Sequence, residues 1–319
     1  MSGYTPGAGL PTGLPLGFSS DVASPQVSDV NTSRRGTTTR SVLPPEPAAG
    51  PLPRKRRRVD ADVLNRIADN IPERDRQVLD RIGEHRYLTT HQVQAFVFTG
   101  HASDESAART ARYVLARLER LALIRSLARR IGGVRAGSAA RVWQLAPAGA
   151  RLLRDDGSTF RTHEPSERFL AHCLAVADAH LAARAVRLRP GVQDVTVQTE
   201  PDCWRRYTGQ GGEPRWLQPD LALSIQTAEY TDRWFIEVDL GTESLPTLLR
   251  KCGHYEAFRR SGIEQHENGT FPLVLWLFAK PERADRLRAT VLRSPRLTPA
   301  LYRYTTPETF TAVLTEPLS

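Results

Sequence analysis

The stretch Trp234 to Phe258, WFIEVDLGTESLPTLLRKCGHYEAF, constrains the fold more than any other part of the chain. Phe235 and Ile236 are β-formers with Gly241 just downstream, which predicts a buried strand. Alternation then places Glu237 and Asp239 on one face and Val238 on the other. Two carboxylates on one face of an inner strand are costly to bury, so basic side chains or a metal ion must offset them. A helix follows. Ser244 is a suitable N-cap and Pro246 suits the first turn. Leu245, Leu248, Leu249, Cys252, Tyr255 and Phe258 keep helical spacing. Lys251 and Tyr255, four apart, share a face. A strand that delivers two acids is thus followed at once by a helix that can return a lysine and a tyrosine. Hard oxygen ligands of this kind suit Mg²⁺ or Mn²⁺.

The rest of the chain must accommodate that unit. Its 319 residues allow two domains and a tail. A formal charge of +9 favours an anionic partner such as nucleic acid. The three cysteines, Cys173, Cys203 and Cys252, cannot all pair and have no CxxC spacing. This points to a reducing cytoplasm and away from a structural zinc site. No apolar run approaches the roughly 18 residues that span a membrane, and the N-terminus lacks a signal-peptide pattern. A membrane role is therefore not expected. The preference for Arg and Ala over Lys fits a GC-rich bacterial genome.

Residues 1–61 read as a disordered tail rich in Gly, Pro, Ser and Thr. It carries the basic run Arg54 to Arg58. That run is a nuclear localisation signal in a eukaryote, a phosphate-binding arm in a bacterium, or simply a solvated charge run.

Residues 62–160 read as helices followed by a hairpin. Val78, Leu79 and Ile82 mark one helix. Thr89 or Thr90 caps a second, through Val93, Phe96 and Val97. Ser103 or Asp104 opens a long third, with Val114, Leu115, Leu118 and Leu121 inward. Two strands follow, Leu123–Leu127 and Ala140–Leu145, joined by the Gly-rich segment Gly132–Gly137. Three helices and a hairpin are the pattern of a winged helix-turn-helix. From Arg109 to Arg141 there are nine arginines and one acid, Glu119. Of these, Arg109, Arg112, Arg117, Arg129, Arg130, Arg135 and Arg141 are the expected contacts to double-stranded DNA, because a recognition helix and wing meet phosphate there.

Residues 161–319 read as a second domain. An Ala-rich helix runs from Phe169 to Val186, and a strand from Val192 to Thr199. Cys203 to Pro214 reads as a polar loop. A further strand in Trp216–Ile225 carries Pro219-Asp220 and Leu221-Ala222-Leu223. The Glu237 strand and the Lys251 helix follow, then the apolar run Phe271–Phe278 as an inner strand. Pro281 opens a helix. Tyr302–Tyr304 adds a last strand and Pro307–Leu314 a last helix.

The order α-β-β-β-α-β, with Pro-Asp on the second strand and Glu-x-Asp on the third, resembles the PD-(D/E)XK nuclease-like core. The fold expected is α+β: a winged helix-turn-helix, then a PD-(D/E)XK-like α/β domain with a mixed central sheet. With the preceding winged helix, the chain from about Ile71 onward resembles the replication-relaxation family of plasmid and mobile-element proteins. The residues that carry this are Phe235 to Ser244 (FIEVDLGTES), Pro219-Asp220, and Arg250-Lys251 through Tyr255.

The resemblance implies Asp220, Glu237 and Asp239 as metal ligands and Lys251 and Tyr255 as further site residues. A lysine normally stands two residues after the Glu, and here that position is Asp239. Lys251 is the expected substitute from the helix. Each assignment has a plainer alternative: a turn residue for Asp220, ion pairing for Glu237 and Asp239, an amphipathic helix face for Lys251, the core for Tyr255. Glu167, Asp178 and His172 are the polar candidates on the first helix. Two functions remain open at this point. One is a Mg²⁺- or Mn²⁺-dependent nickase or endonuclease acting in replication or DNA relaxation. The other is a catalytically silent winged-helix regulator of replication or transcription. Either is compatible with a homodimer or a replication-protein partner.

Overall fold

The computed structural model describes residues 60–127, 141–154, 164–209 and 211–316. The tail from Met1, the run Arg54 to Arg58, the Gly132–Gly137 connection and Arg129, Arg130 and Arg135 lie outside the described residues.

The first elements are α1 (Ala61–Asn70), α2 (Glu73–His85), β1 (Leu88–Thr89), α3 (Thr90–Val97), α4 (Asp104–Arg120), β2 (Ile124–Ser126), β3 (Val142–Leu145) and α5 (Pro147–Leu153). Thr89 closes a capping box on α3. Its hydroxyl accepts from Gln92 N at 3.1 Å, and Gln92 Oε1 accepts from Thr89 N at 2.9 Å. This fixes where α3 starts, since two otherwise unpaired amides are satisfied reciprocally. Ser103 caps α4 in the same sense, accepting from Ser106 N. The helices pack through Val78, Leu79, Ile82, Val93, Val114, Leu115 and Leu118, which meet Trp143 and Leu145 of an antiparallel sheet ordered β1-β3-β2. The two-residue β1 is too short for a strand pattern to signal it. At Gly149 an added Cβ would stand 2.0 Å from the Leu123 carbonyl oxygen, so α5 approaches β2 as closely as it does only because that residue has no side chain.

Next come α6 (Glu167–Ala185), β4 (Val192–Thr199), β5 (Arg205–Thr208), β6 (Pro214–Leu217), β7 (Leu221–Thr227), β8 (Thr231–Asp239), α7 (Leu245–Ser261), α8 (Ile263–Asn268), β9 (Leu273–Phe278), α9 (Pro281–Arg293), β10 (Tyr302–Thr305) and α10 (Phe310–Val313). A mixed five-stranded sheet runs β10-β9-β8-β7-β4. Its β4, β7 and β8 are antiparallel, and β8, β9 and β10 are parallel. Alternation along β8 divides the core in two. Phe235 packs with Leu248, Cys252, Tyr255 and Phe258 of α7 and Leu287 of α9. Trp234, Ile236 and Val238 pack with Ala179 and Ala183 of α6 and Phe310 of α10. Glu237 and Asp239 share the parity of Phe235 and so point towards the α7 and α9 layer.

Two expectations are corrected. The polar stretch after Cys203 is not a loop but the hairpin β5-β6, paired from Arg205 with Leu217 to Thr208 with Pro214. Cys203, Tyr207 and Leu217 are buried beneath it, and the intervening arginines mask that face in the sequence. The second concerns membrane spans. Glu167–Leu188, α6 with its following turn, is long and apolar enough to cross a bilayer by length and composition alone, and 44% of its apolar 18-residue stretch is buried inside the protein. Its alanines and leucines raise the mean hydropathy because α6 packs on both sides. Ala177 joins the core of the first helices, and Ala179 and Ala183 join the sheet core.

Candidate functional site

At the end of the mixed sheet, polar side chains from four separate elements meet. Glu237, two residues before the end of β8, is 2% exposed. Its Oε2 accepts from Lys251 Nζ at 2.9 Å and its Oε1 from the Tyr255 hydroxyl at 2.6 Å. Both donors come from one face of α7, whose start is fixed by the Ser244 cap. Lys251 Nζ also lies 3.4 Å from Glu243 Oε2.

Asp220 immediately precedes β7 and is 6% exposed. Its backbone amide donates to Ile236 O, and its Oδ2 accepts from Val238 N at 2.7 Å, so the carboxylate is pinned to β8 on either side of Glu237. Its Oδ1 lies 3.0 Å from Nε2 of His172 on α6. Among the first-helix candidates, His172 is therefore the one that reaches the acids. Asp178 instead accepts from Gln92 of α3 at 2.6 Å, and Glu167 is exposed at the start of α6.

Asp239 stands apart. Arg283 of α9 binds its Oδ2, and Oδ1 accepts from Gly241 N at 2.8 Å. Arg283 also donates to the Glu243 carbonyl. Among the described residues Asp220, Glu237 and Asp239 do not bring three donor atoms within 4.8 Å of one another, and Asp239 has a guanidinium partner.

The electrostatics follow from burial. Dehydration pushes the Glu237 carboxyl up to about 7, with the Asp220 charge adding to it against the opposing pull of Lys251 and Tyr255. Burial also raises Asp220, but the hydrogen bond and charge of His172, then Lys251 and the Val238 amide, outweigh it, and the net shift is downward. For His172, burial lowers the pKa and Asp220 more than restores it, leaving it raised. Burial works against the Lys251 ammonium, yet Glu237, Asp220 and Glu243 raise its pKa. The cluster thus sets Glu237 against Lys251 and Tyr255, and Asp220 against His172 and the Val238 amide. Asp220 and Glu237 offer the hard oxygens that Mg²⁺ or Mn²⁺ prefers; Asp239 is held by Arg283 of α9.

The basic face is split in its duties. Arg109 and Arg112 are exposed on α4, beside Tyr113, which is 62% exposed. Arg117 turns inward and grips the buried Asp75 of α2 with Nε at 2.9 Å and Nη2 at 2.5 Å. That bidentate pair braces α4 on α2. Arg141 lies 3.7 Å from Glu119 Oε2 and 5.3 Å over the Trp143 ring. Tyr113 was not distinguishable from a core residue in the sequence, because its neighbours Val114 and Leu115 are buried.

Fold and site together define an α+β protein with a mixed sheet and a buried acid–lysine cluster at its end. The chain belongs to the replication-relaxation family, whose pattern matches residues 79–274, well over half its length. No curated protein and no solved structure matches it.

Proposed function

We propose that the protein acts on double-stranded DNA in the replication or relaxation of a bacterial plasmid or integrative element, and that it cuts one strand. In this reading α2, α3, α4 and the β1-β3-β2 sheet form a winged helix-turn-helix, with Arg109 and Arg112 of α4 against phosphate. The α6-to-β9 region is a PD-(D/E)XK-like nuclease domain. The observation that carries the proposal is the meeting of Asp220 just before β7, Glu237 of β8 and Lys251 of α7, with both carboxylates buried. Two carboxylates at 6% and 2% exposure are expensive scaffolding, since apolar residues of similar size would be as stable or more so.

Asp220 and Glu237 would hold a Mg²⁺ or Mn²⁺ ion, which supplies polarisation of the phosphate and a more acidic bound water. The protein's own groups do the rest. Lys251, whose side chain is 31% exposed, presents its ammonium to an incoming phosphate oxygen. Tyr255 and the Val238 amide fix the two carboxylates, and His172 orients Asp220 from the opposite layer. Incubation with supercoiled plasmid tests this. Open-circular product is expected with Mg²⁺ or Mn²⁺, and neither in EDTA nor with Asp220→Ala.

One observation favours a second reading. All four oxygens of Asp220 and Glu237 already have partners within the protein: His172, the Val238 amide, Lys251 and Tyr255. A catalytically silent regulator of replication or transcription would have such a closed network. It predicts DNA binding with no open-circular product under any metal.

A further inference from the structure

Where α2 packs on α6, two imidazoles and a carboxylate meet that belong to none of the hydrogen bonds of the acid cluster above. His85 Nε2 and His180 Nδ1 are 3.1 Å apart, and His180 Nδ1 is 3.8 Å from Glu84 Oε1. Among the described residues this is the one His/Cys/Asp/Glu trio whose donor atoms all fall within 4.8 Å of one another. Imidazole nitrogen and carboxylate oxygen bind zinc at about 2.0–2.2 Å, so tetrahedral donors stand about 3.4 Å apart, between the two separations observed.

The surroundings hold these atoms in place. Phe96 stacks on His85 with ring centroids 5.0 Å apart and meets His180 edge-on at 5.1 Å. Arg81 takes Glu84 Oε2 at 2.5 Å, and the Thr199 hydroxyl donates to Oε1 at 3.2 Å. Outer-shell bonds of this kind orient metal ligands. Both histidines are buried, whereas the Glu84 side chain is 22% exposed and opens on a crevice lined also by Thr199, Glu200, His172 and Asp220. An ion thus has a way in past Glu84.

We propose that Glu84, His85 and His180 bind a divalent transition-metal ion of the Zn²⁺ class, clamping α2 to α6. Two imidazoles select zinc, cobalt or nickel over Mg²⁺, the reverse of the all-oxygen Asp220–Glu237 pair. His172 and His180 are eight residues apart on α6, about 12 Å along its axis, so the two donor sets share no residue, although one crevice reaches both Glu84 and Asp220. Without the ion, one of the facing nitrogens carries the proton of the His85–His180 hydrogen bond. On binding it moves to the other nitrogen of that ring, which frees both facing lone pairs with no net proton release.

The test is a Co²⁺ titration of the full-length, chelator-stripped protein, read by visible d–d absorption. One equivalent should bind and Zn²⁺ should displace it, while Mg²⁺ in excess should not. Zn²⁺, but not Mg²⁺, should raise Tm by this site. His180→Gln should abolish the band. Glu84→Gln, on the solvent side and able to keep the Thr199 contact, should keep the fold and weaken Co²⁺ binding by at least roughly tenfold. Asp220→Ala should retain the band, which separates this site from the acids at the sheet end and from any outcome of the nicking assay. A wild type with no Co²⁺ band, or a band that persists in folded Glu84→Gln at unchanged affinity, overturns the proposal.

Discussion

Lys251 Nζ lies 2.9 Å from Glu237 Oε2, although the lysine belongs to a helix and the glutamate to the strand before it. The link between them is short: the end of β8, the left-handed turn at Gly241 (φ +85°), the Ser244 cap and two turns of α7. A lysine two residues after Glu237 would lie on the same strand face. Instead Asp239 occupies that position and Arg283 answers it, while the lysine is returned from α7.

This arrangement gives Glu237 a pH signature. Its folded pKa, about 7, lies above its ordinary 4.5, so the folded protein holds a proton that the unfolded chain has released between those values. The stability it contributes is fully present below the unfolded value and is lost as pH rises through about 7. His172, also raised, acts in the same sense; His85 and His180, both lowered, act in the opposite sense, with stability lost as pH falls below 6.5. Comparison with Glu237→Gln isolates the glutamate. Denaturant midpoints measured from about pH 5 to about pH 8 should fall more steeply with rising pH in wild type than in the variant. Parallel profiles would mean that Glu237 is ionised throughout.

The arginines of α4 should separate into two kinds. Arg109→Ala and Arg112→Ala should leave Tm nearly unchanged and each reduce the log–log salt slope of DNA binding by roughly 0.9 per lost phosphate contact. Arg117→Ala should instead cost about 3 kcal/mol, because it leaves Asp75, at 1% exposure, buried without its cation. Fluorescence anisotropy across a salt series, with thermal melts of the same proteins, reads both. An unchanged salt slope in Arg109→Ala and Arg112→Ala together would remove α4 from the DNA interface.

What was legible in the sequence was local. The FIEVDLGTES run specifies strand, turn and cap through periodicity and a single serine. Four-residue spacing put Lys251 and Tyr255 on one face, and the structure has both on Glu237. A cap at Thr89 or Thr90 and another at Ser103 or Asp104 follow from the same short-range chemistry, and the structure has Thr89 and Ser103. The partners chosen over long distances were not legible. Asp239 takes Arg283 from 44 residues away, and Asp220 takes His172 from 48 away on the opposite layer. His85 and His180 are 95 residues apart, each on its own helix an unremarked polar residue. No local period encodes such pairings; they follow from how α6 is wedged between the two cores. The hairpin β5-β6 was hidden for a related reason, since its buried Tyr207 follows Arg205 and Arg206 and its second strand opens on Pro214 and Arg215.

Strand cleavage at the Asp220–Glu237–Lys251 cluster is tested most directly by single-turnover nicking of supercoiled plasmid with Mn²⁺, at protein concentrations that saturate the DNA. Wild type is set against Asp220→Asn and Glu237→Gln, with DNA affinity and Tm recorded for each. The expected result is open-circular product from wild type and a loss of roughly a hundredfold or more in both variants, at equal DNA affinity. Wild type that binds the plasmid yet leaves it supercoiled, or variants that nick as fast as wild type, would contradict it and leave the acids as scaffolding.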